Sequence, residues 1–435
     1  MSAREETKLM TTAEVQHALA PISWKTPIIL TVMTVLAFAF VIFSTGDTKM
    51  RLPMSINRQT GTLDTSSGPM LDMPAMQSAL VCVILMVIAA AVVWWMTAQR
   101  AKVGKWLPIV FGVVWVFAFL LWVGAGQENP ILVTELLRGA IFLSIPLIFG
   151  SLAGVVCERV GVINVAIEAD LLFGAFLAAV VAATTRNAWL GLVAAPVAGA
   201  LVGCLLALFA VRYWVNHIIV GVVLNVLVLG LTNYLFSPLQ SVLNSAGAIA
   251  IPRWPIPLLS DIPVLGPVLF NATILQYIMY IAVFFLQYMI FHSRWGLRMR
   301  ACGEHPKAAD TVGIKVNRTR IRNAILGSAI AGLGGAALTV ASDGVAAAFT
   351  KNMSSGKGYI ALAAMILGRW NPVGAALACL LFGFASNAKA VLGLVNTSLP
   401  GEFMDMAPYL VTIIAVAGLV GRVRPPAMEG TAYKG

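Results

Sequence analysis

The stretch from His292 to Arg322, HSRWGLRMRACGEHPKAADTVGIKVNRTRIR, is a short basic segment between two apolar runs of membrane-spanning length. It contains eight Lys and Arg residues, and only Glu304 and Asp310 oppose them. A loop this short and basic stays on the cytoplasmic side, because positively charged loops resist translocation during membrane insertion. We call residues 292–322 the basic segment, and it predicts a multi-pass membrane protein with its cytoplasmic face here.

The basic segment also carries the signals of a short helix. Pro306 suits the first helical turn, Gly313 can end the helix, and Glu304 or His305 can cap its start. Small apolar residues at helical spacing would share one face of this helix, namely Ala308, Ala309 and Val312. A capped helix with an apolar face on a cationic surface is typical of a docking site for a cytosolic partner. An anionic lipid surface is the alternative, although it explains the charge and not the helix.

Composition excludes a soluble protein. Hydrophobic residues make up 59% of the 435 residues and charged residues 11%, whereas soluble domains average about 25% charged residues. The net charge of +11 lies mainly in short loops on one side of a membrane, so it does not indicate nucleic acid. The five cysteines show no paired or metal-ligand spacing, which predicts neither a disulfide framework nor a metal site.

Twelve apolar stretches approach the length of about 20 residues that a membrane span needs. They lie near 27–43, 76–96, 106–123, 133–156, 166–183, 189–211, 218–236, 274–291, 323–341, 358–368, 372–393 and 407–420. With the N-terminus inside, 19 Lys and Arg residues fall in inside segments and seven in outside segments, which favours cytoplasmic N- and C-termini. The fold class is therefore all-α, a polytopic integral membrane protein with about 10–12 transmembrane helices, some broken or re-entrant.

The sequence divides into four parts. Residues 1–26 form a cytoplasmic N-terminal segment without a convincing cleavage site, residues 27–131 an accessory three-span region, residues 132–422 a core, and residues 423–435 a cytoplasmic tail. The core contains two similar series of segments. Each series consists of a Gly/Ala-rich span, a polar hinge, a short helix and a closing apolar run, which is GAFLAAVVAA in the first series and GAALACLLFG in the second. The two copies would run in opposite senses, which is the inverted-repeat arrangement of many transporters.

The first polar hinge, CERVGVINVAIEAD at 157–170, places several ionisable groups at membrane depth. Such groups are costly in lipid and mark a pathway or site. Gly161 permits a break, whose freed backbone groups must line a cavity or lie within protein. We expect the residues that line a pathway here, facing solute or water, to be Asn164, Glu168 and Asp170. The alternative is a tight cytoplasmic turn with its charges in water.

A second polar interruption, SSGKGYIALAAMILGRWNP, begins at position 354. Gly356 and Gly358 allow close backbone approach, and Tyr359 offers a hydrogen-bonding group. A short helix whose N-terminus points into the membrane can bind polar solute groups through free N–H groups, and small-residue helix packing is the alternative. Asn225, a lone amide within a span, is more typical of a hydrogen bond between helices than of a ligand. The predicted pathway residues nevertheless include Asn225, together with Gly356, Gly358 and Tyr359.

Catalytic motifs are missing from the sequence. It contains no nucleotide-binding loop GxxxxGK[ST], no HExxH and no spaced Cys/His set. The chain is therefore predicted to hydrolyse no ATP by itself, to have no catalytic nucleophile or cofactor, and not to be an enzyme.

Three motifs, in order, resemble those of one family: ERVGVINVAIEADLLFGAFLAA, GLRMRACGEHPKAADTVGIKV and GKGYIALAAMILGRWNPVGA. They are similar to motifs of the membrane permeases of ATP-binding-cassette (ABC) importers for nucleosides and simple sugars, relatives of the branched-chain amino acid permeases. The resemblance covers residues 132–422, the permease core. The chain departs from the family pattern at Ala169 and Asp170, where the family has a glycine and an apolar residue, and in its three N-terminal spans.

The resemblance implies that both hinges line the path of an ATP-driven importer and that the short helix docks on an ATPase subunit. The residues that would couple transport to this ATPase are Gly303, Glu304, Pro306, Ala308, Ala309, Asp310 and Gly313. Expected partners in the plasma membrane are the ATPase at the cytoplasmic face, a second permease subunit, an extracellular substrate-binding lipoprotein and lipid. Nucleosides are the first expected solute and simple sugars the second. A proton- or ion-coupled secondary carrier, with Glu158, Glu168 and Asp170 as a relay, is the alternative from another class.

Overall fold

The computed structural model describes residues 24–43, 46–51, 69–101, 104, 106–127, 130–246, 249–341, 348–394 and 424–434. Helices dominate these residues, and nine of the described helices are long and apolar enough to cross a membrane. The predicted class, an all-α polytopic membrane protein, is thereby confirmed. The predicted span at 407–420 and nearly all of the N-terminal segment 1–26 lie outside the described residues.

The chain divides into two compact units, and the first comprises Met1–Met50 and Met70–Ile131. Its described helices are α1 (Lys25–Phe43), α2 (Ala75–Ala98) and α3 (Trp106–Val123). These three helices pack against one another. Short strands form a sheet in the order β2-β1-β3, namely β1 (Asp47–Arg51), β2 (Met70–Pro74) and β3 (Ile131–Leu132). The ring of Phe40 stacks on that of Trp122, with centroids 5.1 Å apart, so aromatic contacts join α1 to α3.

The second unit comprises Arg51–Pro69 and Leu132–Gly435. Its described helices are α4 (Val133–Arg159), α5 (Ile167–Thr185), α6 (Ala188–Ala207), α7 (His217–Ala246), α8 (Ile274–His292), α9 (Arg294–Glu304), α10 (Pro306–Thr311), α11 (Val316–Gly335), α12 (Lys357–Leu367) and α13 (Pro372–Leu394). A π-helical turn prolongs α6, and two antiparallel strands lie between α7 and α8, β4 (Arg253–Pro255) and β5 (Asn271–Thr273).

Helix α11 is central to the second unit, because it packs against α4, α5 and α6. Small residues bring these backbones into contact. A Cβ atom added at Gly174 of α5 would lie 2.2 Å from the carbonyl oxygen of Gly332 in α11, and one at Gly199 of α6 would lie 2.1 Å from that of Ser328. Lipid tails are as apolar as the helices, so close packing of this kind is a main source of helix association in membranes.

Three local features differ from what the sequence predicts. Helix α5 runs unbroken from Ile167, so no separate short helix follows the first hinge. Helix α7 continues through Pro238 to Ala246, ten residues beyond the end of the predicted span at 218–236. The basic segment contains α9 in addition to the predicted short helix. The inverted repeat stays a prediction.

Candidate functional site

Within the first hinge, residues 160–166 separate α4 from α5. Gly161 has φ of +92°, a conformation that glycine adopts without steric cost, and its N–H donates to the carbonyl of Glu158 at 2.9 Å. The Oδ1 atom of Asn164 accepts the N–H of Ala166 at 3.0 Å, an Asx turn that leads the chain into α5. The break therefore depends on Gly161, which adopts the positive φ, and on Asn164, whose side chain accepts a backbone hydrogen bond.

Asn164 and Asp170 form an enclosed polar pair. The Nδ2 atom of Asn164 lies 3.2 Å from Asp170 Oδ2 and 3.4 Å from Ser328 Oγ on α11. Both residues are fully buried, and Asp170 Oδ1 has no hydrogen-bond partner among the described residues. In this conformation the two side chains do not face the water-filled path that we expected, because they point into the contact between α5 and α11.

Glu168 joins the two hinges. Its Oε1 atom accepts the hydroxyl of Ser354 at 2.6 Å and the N–H of Gly356 at 2.7 Å, and its Oε2 atom accepts the N–H of Gly358 at 2.6 Å. The carboxylate thus lies at the positive end of α12, where negative charge is stabilised. We call these three contacts the Glu168 clamp. They occupy N–H groups that we expected to be free for solute.

Asn225 of α7 links the first hinge to α12. Its Oδ1 atom accepts the N–H of Ala169 at 2.9 Å, and its Nδ2 atom donates to the carbonyl of Val165 at 2.9 Å and to the hydroxyl of Tyr359 at 3.0 Å. The amide therefore serves as a bond between helices. Tyr359, at 47%, is the most exposed of the predicted pathway residues.

Substitution of Asn225 by alanine is expected to lower the free energy of unfolding by about 1–3 kcal/mol, because the buried N–H of Ala169 and the half-buried carbonyl of Val165 lose their partner. Tyr359→Phe removes only the hydroxyl that accepts a hydrogen bond from Asn225, and it should lower the free energy of unfolding by about 0.5–1.5 kcal/mol. Thermal unfolding of the purified protein in detergent compares the two variants. An Asn225→Ala variant as stable as the unchanged protein would contradict this assignment.

The charged residues at the end of α4 bind the turn before α13. Arg159 donates from Nε to the carbonyl of Trp370 at 3.0 Å and from Nη2 to that of Arg369 at 3.4 Å, and its guanidinium lies 5.4 Å from the ring centre of Phe291. The Oε2 atom of Glu158 accepts the indole N–H of Trp370 at 2.5 Å. These charges are therefore engaged by the protein itself, unlike those of a simple turn in water.

The basic segment contains two helices, and a side chain caps the first of them. The Oγ atom of Ser293 accepts the N–H of Gly296 at 3.1 Å and so caps α9. Pro306 opens α10 as predicted, and Gly313, with φ of +84°, follows its end. His305 holds the cap position of α10 but makes no side-chain hydrogen bond there.

The exposed face of α10 differs from the predicted one. Ala309 is 3% exposed and packs into the core, whereas Val312 is 75% exposed. Ala309 therefore does not belong to a docking face, because this short helix turns it toward the membrane helices. Ala308 is exposed. Of the other predicted coupling residues, the buried ones are Gly303 and Pro306 and the exposed ones are Glu304, Asp310 and Gly313.

Sequence reasoning missed a row of aromatic side chains that joins α5 to α7. Phe173 stacks on Phe176, whose ring lies 5.2 Å from that of Phe349, and Phe349 in turn contacts Phe236. The Nζ atom of Lys351 lies 5.4 Å from the ring centre of Phe236. The spacing of Phe173 and Phe176 was the only signal, and aromatic residues are too common in apolar spans for it to stand out.

The matching family and three similar proteins are all permeases of transport systems. Residues 136–416 match the family described as branched-chain amino acid transport system / permease component. The nucleoside ABC transporter permease protein NupC of Lactococcus lactis is 37% identical over 67% of this chain and 94% of that protein. The guanosine ABC transporter permease protein NupQ of Bacillus subtilis is 37% identical over 66% and 92%. A putative glucose ABC transporter permease protein of Haloferax volcanii is 30% identical over 66% and 92%. No solved structure matches the chain.

The matched region contains the two hinges, the Glu168 clamp and the basic segment, and it leaves the first unit outside. ABC importer permeases are membrane subunits that work with an ATPase and a substrate-binding protein. The chain therefore belongs to the branched-chain amino acid transport system / permease component family and is the membrane permease of an ABC importer.

Proposed function

We propose that this permease forms the translocation pathway for nucleosides. Two relatives at 37% identity carry nucleoside and guanosine in their names, which supports this solute class. The proposed mechanism depends on the Glu168 clamp. One carboxylate connects the two interruptions of the membrane region, so a movement of either hinge is passed to the other.

Movement at the basic segment can reach the hinges through direct contacts. A Cβ atom added at Gly303 would lie 2.3 Å from the carbonyl oxygen of Arg159, so the end of α9 touches the end of α4 without an intervening side chain. Arg159 in turn holds the carbonyls of Arg369 and Trp370 before α13. A partner that displaces the basic segment would therefore move the end of α4, the first hinge and the Glu168 clamp together.

We assign the buried pair Asn164 and Asp170 to the closed wall of the pathway. In alternating access, separation of α5 from α11 would expose both polar side chains to solute. The half-exposed ring of Tyr359 and the row of phenylalanines would offer surfaces to a nucleobase, since stacking of a base on an aromatic side chain is worth about 1–3 kcal/mol. Asp170 departs from the family pattern, so Asp170→Ala would change solute preference more than the assembly of the permease.

The partners follow from the same proposal. Separate ATPase subunits would hydrolyse ATP and dock on the exposed face of α10, and the permease would pair with a second copy or a related permease. A substrate-binding lipoprotein would deliver solute on the extracellular side of the plasma membrane. The charge distribution supports cytoplasmic termini. The three-span region 27–131, with no counterpart in the matched residues, would be an accessory to this core.

A simple-sugar importer is the second candidate, supported by the relative whose name contains glucose. A proton- or ion-coupled carrier would need Glu158, Glu168 and Asp170 as a relay. Glu168, however, accepts hydrogen bonds with both oxygens, and Glu158 accepts one from the indole of Trp370. The contacts of Glu168 favour a fixed carboxylate over a group that exchanges a proton during each cycle.

The solute class is tested by uptake of radiolabelled guanosine and glucose into cells that express the permease with its ATPase and binding protein. We expect guanosine uptake that excess unlabelled nucleosides suppress and excess glucose leaves unchanged. Uptake of glucose alone, suppressed by other hexoses, would assign the sugar class instead.

A further inference from the structure

The last described residues, 424–434, return to the basic segment, and we call them the tail. The N–H of Met428 donates to the carbonyl of Gly303 at 2.9 Å. The N–H of Ala427 donates to the Oε2 atom of Glu304 at 3.2 Å. The tail therefore binds two of the residues at the point where α9 ends and α10 begins.

The tail also binds the first hinge. The N–H of Gly430, which has φ of +70°, donates to the carbonyl of Gly161 at 3.1 Å. Glu429 lies beside Glu158 at the end of α4, and burial raises the pKa of the Glu429 carboxyl. Two neighbouring carboxyls lie together without charge repulsion when the pair holds one proton.

Arg320 of α11 anchors both sets of contacts. It is 1% exposed, and it donates from Nη1 to the carbonyl of Thr431 at 2.6 Å and from Nη2 to those of Cys302 and Met428 at 3.4 and 3.5 Å. Backbone carbonyls are its only hydrogen-bond acceptors in the described part of the chain. A buried cation needs such partners, so the tail is part of what allows Arg320 to be buried.

We propose that the tail is a strap that ties the basic segment to the first hinge, with Arg320 as its positioning residue. The proposal rests on the proposed function, because it assigns the strap to the coupling of ATP hydrolysis with solute movement. Without the tail, Gly303 and Gly161 lose one of their connections, although Gly303 still packs directly against Arg159. Arg320 loses two of its three carbonyl acceptors. The remaining contact then passes less of the movement of the basic segment to the hinge, so ATP hydrolysis continues while the solute moved per ATP falls.

The test measures solute uptake and ATP hydrolysis together in proteoliposomes that contain the complete importer. One variant ends the chain before Arg424. A second, Gly430→Pro, keeps the full length of the tail but removes the N–H that contacts the hinge, and it changes the turn at this position because proline cannot adopt a positive φ. Ala432→Ser, at an exposed tail residue, is the matched control.

We expect both tail variants to retain bound ATPase and to hydrolyse ATP, while the solute moved per ATP falls about two- to thirtyfold. The control keeps the ratio of the unchanged protein. An unchanged ratio in Gly430→Pro would overturn the strap, and so would rapid hydrogen exchange of the Gly430 N–H in the resting complex. Uptake by the unchanged protein that needs no ATP would instead overturn the proposed function, which separates the two failures.

Discussion

Replacing Glu168 with alanine is expected to reduce the rate of solute uptake at least about a hundredfold, since 1.4 kcal/mol corresponds to tenfold. The substitution leaves the N–H groups of Gly356 and Gly358 and the hydroxyl of Ser354 without their acceptor. Each buried donor without a partner costs about 1–3 kcal/mol, so the loss of all three disorders the start of α12. Initial rates of guanosine uptake, with thermal unfolding in parallel, measure the effect.

A graded series tests the geometry of the clamp. Glu168→Gln keeps one accepting oxygen and loses the charge, so its uptake and unfolding temperature should fall between those of the alanine variant and the unchanged protein. Asp72→Asn makes the same change from carboxylate to amide at an exposed residue of the first unit and should have no effect. Equal uptake by Glu168→Ala and the unchanged protein would mean that the clamp has no part in transport.

Val312→Asp is expected to abolish uptake and copurification of the ATPase while leaving the permease folded in the membrane. The Val312 side chain is 75% exposed beside α10, so a charge there disturbs no internal packing and acts on a docked partner. A buried unpaired charge in an interface costs several kcal/mol, which is enough to prevent docking. Affinity purification from solubilised membranes, with uptake measured in the same cells, checks both effects.

Two further variants separate docking from folding. Val312→Thr preserves the shape of the side chain and should bind the ATPase normally. Ala309→Asp places the charge in the core, where Ala309 is 3% exposed, and should lower the amount of folded permease. Normal copurification of the ATPase with Val312→Asp would refute the docking role of this face.

The helices of this protein could be placed from sequence because a membrane allows few solutions for an apolar run. The run near 133–156 is α4, and the run at 358–368, too short for a regular span, is the short helix α12. Pro306 and Gly313 marked α10 because their backbone preferences are local. Local rules of this kind need no knowledge of what packs against the segment.

The partners of the polar residues could not be predicted, because they come from distant parts of the chain. Glu168 and Ser354 are separated by 186 positions, and nothing in either motif indicates that they meet. Arg320 is one of eight basic residues in the basic segment, yet it is buried and donates hydrogen bonds to backbone carbonyls of the tail. The orientation of Ala309 likewise depends on how α10 packs, so its spacing alone gave the wrong face.

The most direct test of the central claim is the energy source of uptake. The measurement follows labelled guanosine into proteoliposomes that contain the permease, its ATPase and its binding protein, with ATP inside and an ionophore that collapses the proton gradient. We predict that uptake requires ATP, is lost with a hydrolysis-deficient ATPase, and continues when the gradient is collapsed. Uptake that stops with the ionophore at constant ATP, or that proceeds without the ATPase, would contradict the account.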